Sequence, residues 1–111
     1  MTATDPPAVQ LDGLYHLATV PEWAAYQESG EIRPPSLDDE GFVHCSYGRQ
    51  LATTVERHFA GVPDLLALLL DPAELDDVDM VDEDVYGSGE EYPHAYGPIP
   101  AAAVASAVPM S

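Results

Sequence analysis

The alternation of apolar and polar residues divides the chain into short elements. Residues 1–11 are polar and contain Asp5-Pro6-Pro7, which reads as a flexible leader before a single domain over 12–111. Leu14-Tyr15-His16-Leu17-Ala18 predicts a strand with Tyr15 and Leu17 on one face and His16 on the other. Thr19-Val20-Pro21-Glu22 has capping-box spacing with proline in the first turn. It predicts a helix from about Pro21 to Ser29, stopped by Gly30, with Trp23 and Tyr26 on its inward stripe. In Glu31-Ile32-Arg33-Pro34-Pro35-Ser36-Leu37 two consecutive prolines remove donors and extend the residues before them, so a non-helical connector is expected. Phe42-Val43-His44-Cys45-Ser46 predicts a short strand with Val43 and Cys45 toward the core and His44 and Ser46 facing polar surroundings. Leu51, Val55, His58 and Phe59 recur at helical spacing, predicting a helix over 49–60 that ends at Gly61. Leu65 to Leu70 is apolar on both faces and reads as a central strand. Residues 92–100 hold too many turn formers for a helix, and Val104 to Val108 is placed as a closing strand.

Charge changes this picture in one region. The 111 residues carry 3 basic and 20 acidic side chains, a net charge of −17, with no lysine. Half of the acid lies between Asp71 and Glu91, a stretch without a cation, so it is expected to be a solvated loop with a short helical turn at Pro72 to Leu75. The 46% hydrophobic content belongs to a folding chain rather than a disordered one. The charge argues against nucleic acid and against anionic membrane surfaces as partners. The longest apolar run, Leu65 to Leu70, falls far short of the ~18 residues of a spanning helix. Met1 to Gln10 lacks the basic start and apolar stretch of a signal peptide, so a cytoplasmic location is expected. A single cysteine leaves no internal disulfide and no multi-cysteine zinc site.

Candidate chemistry rests on histidine. His16, His44 and His94 lie in strand-like or proline-braced segments and either converge on one site or are separately hydrogen-bonded residues of a small sheet. His58, beside Arg57, reads as surface or helix packing. Cys45 neighbours His44 on a strand and so points to the opposite face, which favours a buried, inert thiol. Ser46 shares a face with His44 and is either a nucleophile or, better, a hydrogen-bonding group for a ligand; no Gly-x-Ser-x-Gly elbow surrounds it. A calcium loop started at Asp82 fails, because Tyr86 and Pro93 occupy positions that need carboxylates. Zinc on the three histidines would rest on no recognisable ligand spacing, and no metal site is assigned.

Leu14-Tyr15-His16-Leu17-Ala18-Thr19, Trp23, Gly30 to Leu37, Glu40-Gly41-Phe42-Val43-His44-Cys45-Ser46 and Tyr92-Pro93-His94-Ala95-Tyr96-Gly97-Pro98-Ile99 together resemble, in order and spacing, a small bacterial family known as domain of unknown function 952. The resemblance covers about residues 12–108 and groups the chain with the ADP-ribosyltransferase-like fold. It implies an α+β domain, a small split antiparallel sheet with two main helices, and a cleft that binds NAD in many relatives. It also implies that His16 contacts the adenosine-side ribose and that Ser46 sits by the nicotinamide ribose. Where active relatives carry a glutamate, the corresponding region here carries His94, with Glu90 and Glu91 just upstream.

Three functions follow as expectations. The first is a pocket enzyme whose small-molecule cleft is lined by His16, Arg33, His44, Ser46, His94 and Tyr96. NAD or a related nucleotide is its candidate cofactor, Arg33 or Arg49 its phosphate contact, and His94 assists proton transfer. The second is a cofactor-free cyclase, isomerase or lyase that uses the histidines as acid and base. The third is a non-catalytic module whose acidic surface meets a basic partner. Nothing in the sequence sets the oligomeric state.

Overall fold

The computed structural model describes residues 9–110. The leader expected over 1–11 lies outside the described residues except at its end, where the Leu11 carbonyl accepts from the Arg49 N–H at 3.1 Å. The fold is α+β, with antiparallel sheets and few helices. No helix among the described residues is long and apolar enough to cross a membrane.

β1 (Leu14–Thr19) runs into α1 (Val20–Ser29), and the junction is a complete capping box: the Glu22 N–H donates to Thr19 Oγ1 and the Thr19 N–H donates to Glu22 Oε1. Gly30 closes the helix in the left-handed region, with φ of 87°. β5 (Leu65–Leu70) pairs with β1 over its full length and, on its other side, with β9 (Val104–Pro109), so it is the buried strand its composition predicts. β4 (Ser46–Tyr47) completes this four-stranded sheet.

The two faces of the sheet are covered differently. Tyr15, Leu17, Leu65, Ala67 and Val108 pack against Leu51, Val55 and Phe59, which places α3 (Leu51–His58) on that side. Leu14, Ala18, Leu68 and Leu70 face the other cluster, with Ile32, Val43, Cys45, Ala95 and Ile99 and with Trp23 and Tyr26 packed against it. Trp23 and Tyr26 come from α1, and Ile32, Val43, Ala95 and Ile99 belong to two small sheets. β2 (Glu31–Ile32) pairs with β8 (Ile99–Pro100), and β7 (Tyr92–Ala95) lies between β3 (Val43–His44) and β6 (Met80–Glu83).

Four expectations need correction. The connector after Ile32 contains a short helix, α2 (Pro35–Asp39), because Pro35 occupies its first turn, where a missing N–H costs nothing. The strand expected over Phe42 to Ser46 is split at Cys45, since the residues before it pair with β7 and those after it with β1. The helix expected over 49–60 begins as a 3-10 turn at Gly48–Gln50 and ends at His58, with Phe59 already out of helical geometry. Finally, the acidic stretch is not all loop: besides the expected turn at Pro72–Glu74 it contains β6, whose ladder with β7 offsets the crowding of acid on a solvated edge.

Thr19→Ala removes one capping group and is expected to lower stability by about 1 kcal/mol. Leu68→Ala, truncating a fully buried side chain between β1 and β9, should cost about 2–5 kcal/mol. Urea unfolding with unchanged slope checks both.

Candidate functional site

β7 positions the chemistry. Its register sets His94 opposite His44 on one side and opposite Val81 on the other, with Glu83 opposite Tyr92. Alternation then gives His94, Tyr92, Val81 and Glu83 one face, while Ala95 and Val43 enter the core. His94 is 1% exposed, and its ring stacks on Phe42 with centroids 4.1 Å apart. Its Nδ1–H donates to Glu83 Oε2 at 2.9 Å, and the Tyr96 hydroxyl donates to the same oxygen. These donors, Tyr96 first and His94 second, hold the Glu83 carboxyl below its usual range, and the carboxylate in turn raises the Tyr96 phenol. Among the described residues no buried side-chain nitrogen or oxygen lacks a hydrogen-bond partner, and none is paired with His94 Nε2. His94 lines the cavity, and with Nδ1 as the donor to Glu83 the neutral ring carries its lone pair on Nε2.

His44 repeats the arrangement nearer solvent. Its Nε2 lies 2.5 Å from Glu40 Oε2, and the Tyr86 hydroxyl donates to Glu40 Oε1 at 3.1 Å. The Glu40 carboxyl is held below its usual range, chiefly by the His44 hydrogen bond. The two imidazoles meet edge to face, centroids 5.4 Å apart. The His44 side chain is 42% exposed and that of His94 2%, so one stands at the mouth and the other at the floor. The third candidate, His16, does not line this cavity. It lies behind it, where its Nδ1–H donates to the His44 carbonyl at 2.7 Å, and burial holds its pKa below the usual 6.5.

The cavity has a volume of about 230 Å³. The loop after β6 forms one wall: Asp84 accepts from the backbone of Ser88 and Gly89, which folds the loop so that Tyr86 lies parallel to His44. α3 forms another wall through Thr54, Arg57 and His58. Gln50, 2% exposed, ties the two regions together by donating to Glu90 Oε2 and to the Glu91 carbonyl.

The other predicted residues separate. Ser46 lines the cavity, but the Thr54 hydroxyl donates to the Gln50 carbonyl, so in the 3.2 Å Ser46–Thr54 contact the donor is Ser46. Ser46 is thus left as an acceptor toward any ligand. Arg33 pairs with Asp38 at 3.2 Å in an exposed position, Arg49 lies over the Tyr47 ring, and neither lines the cavity. Tyr96 reaches the site through Glu83. Cys45 is buried, its thiol pushed up to about 12, the inert state its strand position predicts. Among the described residues no group of three His, Cys, Asp or Glu side chains has metal-binding geometry.

Sequence reasoning missed Glu40, Glu83, Tyr86 and the pocket-facing part of α3. The period-2 run Tyr92, His94, Tyr96 marks one strand face, but only the pairing with β6 brings Glu83 to it.

A model of the family described as "Protein of unknown function (DUF952)" matches residues 17–107. No curated protein matches the chain. The crystal structure of protein CC0527 from Caulobacter crescentus is 26% identical, covering 88% of this chain and 85% of its own, with a TM-score of 0.77. The solution structure of the same protein is 28% identical, covering 87% and 83%, with a TM-score of 0.73.

His16 also makes a pH prediction. Its pKa is lower folded than unfolded, so the unfolded chain binds more protons as pH falls through about 6.5, and the stability present above that pH is lost toward the folded pKa. Between pH 7.5 and 5.5 the urea midpoint of the wild type should fall more than that of His16→Gln; parallel falls would contradict the assignment.

Proposed function

The chain belongs to the DUF952 family, and from that premise we propose that its cavity is an acid–base site for a small molecule, with His94 as the proton acceptor. The observation that carries this reading is that His94 lines the cavity with its Nδ1–H held by Glu83, which leaves Nε2 as the nitrogen with a lone pair for a substrate. An imidazole held this way accepts a proton at Nε2, and the carboxylate behind it stabilises the resulting imidazolium. The Tyr96 hydroxyl keeps Glu83 ionised for that role. His44, backed by Glu40 at the mouth, is the second proton-transfer group, suited to return a proton to another atom of the same substrate. Two histidines of this kind fit a cyclisation, isomerisation or hydration. Phe42, stacked on His94 and edge-on to His44, keeps both rings in place.

Cavity size favours a compact substrate, since pockets for drug-sized ligands run to roughly 300–1,000 Å³. A second reading keeps the ADP-ribosyltransferase-like fold and a nucleotide such as NAD. It is favoured by Arg57 and Ser46 in the cavity wall and weakened by the engagement of Arg33 with Asp38 and of Arg49 with Tyr47. Fold alone does not choose between them.

A metabolite screen followed by NMR, with NAD as one member, separates the readings. Hits should shift Ser46, Thr54, Tyr92 and His94, and a hit that is turned over should lose roughly 100-fold or more in rate in His94→Gln, the range of a general base. Undiminished turnover in that variant overturns the acid–base reading, and NAD as the sole pocket ligand establishes the second one.

A further inference from the structure

The chain has three arginines, no lysine and 20 acidic residues, so a guanidinium has abundant carboxylates to pair with. Arg33 pairs with Asp38, and Arg49 lies 4.9 Å over the Tyr47 ring. Arg57 differs: it lines the cavity, and among the described residues its side chain makes no ion pair, hydrogen bond or aromatic contact. The carboxylates that share the cavity wall are already engaged, Glu83 by His94 and Tyr96, and Asp84 by the backbone N–H groups of Ser88 at 2.9 Å and Gly89 at 2.8 Å. Both carboxylates stay ionised but already hold hydrogen-bond donors, so of these three charged groups the guanidinium is the one free to make a new pair, in a protein whose net charge is −17.

We infer that the cavity takes a small carboxylate and that Arg57 is the residue that grips it, an inference that rests on the reading of this cavity as a small-molecule site. The guanidinium fork matches a carboxylate with two parallel N–H donors, and it remains charged at every pH of interest. Thr54, three residues earlier on α3, stands on the same helix face and adds a hydroxyl to that wall. One cation matches one negative charge. A dianionic phosphate would bring a second negative charge into a wall that already holds Glu83 and Asp84 and no other arginine, so a monoanionic carboxylate is the better match. Val85 and the rings of Tyr86 and Tyr92 also line the wall, so the fitting molecule is an organic acid with a small apolar body, for which an aromatic ring is a suitable probe.

The experiment is an NMR titration of the full chain with benzoate, benzamide, benzylamine and phenyl phosphate, ligands that present one aromatic body with different charges. Benzoate should bind best, shifting the amides of Thr54, Arg57 and Tyr92. Arg57→Gln should weaken benzoate roughly tenfold while leaving benzamide within about twofold, and Arg57→Lys should recover part of the loss. Arg57 is exposed, so unchanged spectra elsewhere in these variants confirm that the fold is intact. Equal affinity for benzoate and benzamide, an Arg57→Gln variant that binds benzoate normally, or tighter binding of phenyl phosphate each overturns the carboxylate inference. Preference for benzamide or benzylamine in the same cavity overturns it too, but leaves the acid–base reading standing, because that reading is judged separately by turnover in His94→Gln.

Discussion

Pairing of β7 between β3 and β6 is the constraint on which the site depends. The ladder is short, two residues on one side and four on the other. Its register alone sets His94 beside His44 and diagonal to Glu83, and a slip of one residue would turn His94 into the core and Ala95 into the cavity. The register is held from both directions. Ala95 and Val43 are buried in the cluster under the four-stranded sheet, and on the cavity side the Gln50 amide grips Glu90 and the Glu91 carbonyl just before β7 begins. The Cys45 N–H donates to the Pro93 carbonyl at the point where the chain leaves β3 for the larger sheet. Core and site thus meet at one strand.

The acidic character of the chain takes on a specific role in this frame. Glu40 and Glu83 each orient a histidine and are themselves capped by a tyrosine, so two of the acids that make up the charge are components of the site. Asp84 organises the loop that carries Tyr86 to the cavity mouth, and Asp82 accepts from the Tyr47 hydroxyl, linking β6 to the edge of the larger sheet. Burial and this Asp82 partner push the Tyr47 phenol up to about 12. Other acids act locally: Glu22 caps α1, Asp38 pairs with Arg33 and Glu90 accepts from Gln50. An anion that enters such a field needs a dedicated cation, and Arg57 is the one placed for it.

Much of the large sheet is legible in the sequence because its signals are local. β1, α1 with its capping box and Gly30, β5 and β9 each follow from a few adjacent residues. The small sheet is less legible, since two-residue strands hold no period to read and β6 is hidden in a run whose charge suggests solvent. For the same reason the histidines at 44 and 94 are recognisable as candidates, whereas their partners are not. Glu83 reaches His94 from eleven residues away through a cross-strand diagonal. His16 stands apart from His44 and His94 because strand alternation gives its face but not the layer that covers that face, and here the covering layer contains the backbone of His44. Arg57 and Thr54 share a readable helix phase, yet the side of the sheet on which α3 docks is a tertiary fact. Pro35 misleads for a different reason: it breaks a helix interior but favours a first turn, and only the position of the helix start tells the two apart.

The site turns on one ring, His94, whose Nδ1–H is held by Glu83 so that the lone pair of the neutral imidazole lies on Nε2. Long-range proton–nitrogen NMR of the imidazoles reads this directly. Neutral His94 is expected to be the Nδ1–H tautomer with an unprotonated Nε2, and Glu83→Gln is expected to erode this preference while the His16 ring keeps its own tautomer. A neutral His94 protonated at Nε2 in the wild type, or a tautomer indifferent to Glu83→Gln, would contradict it.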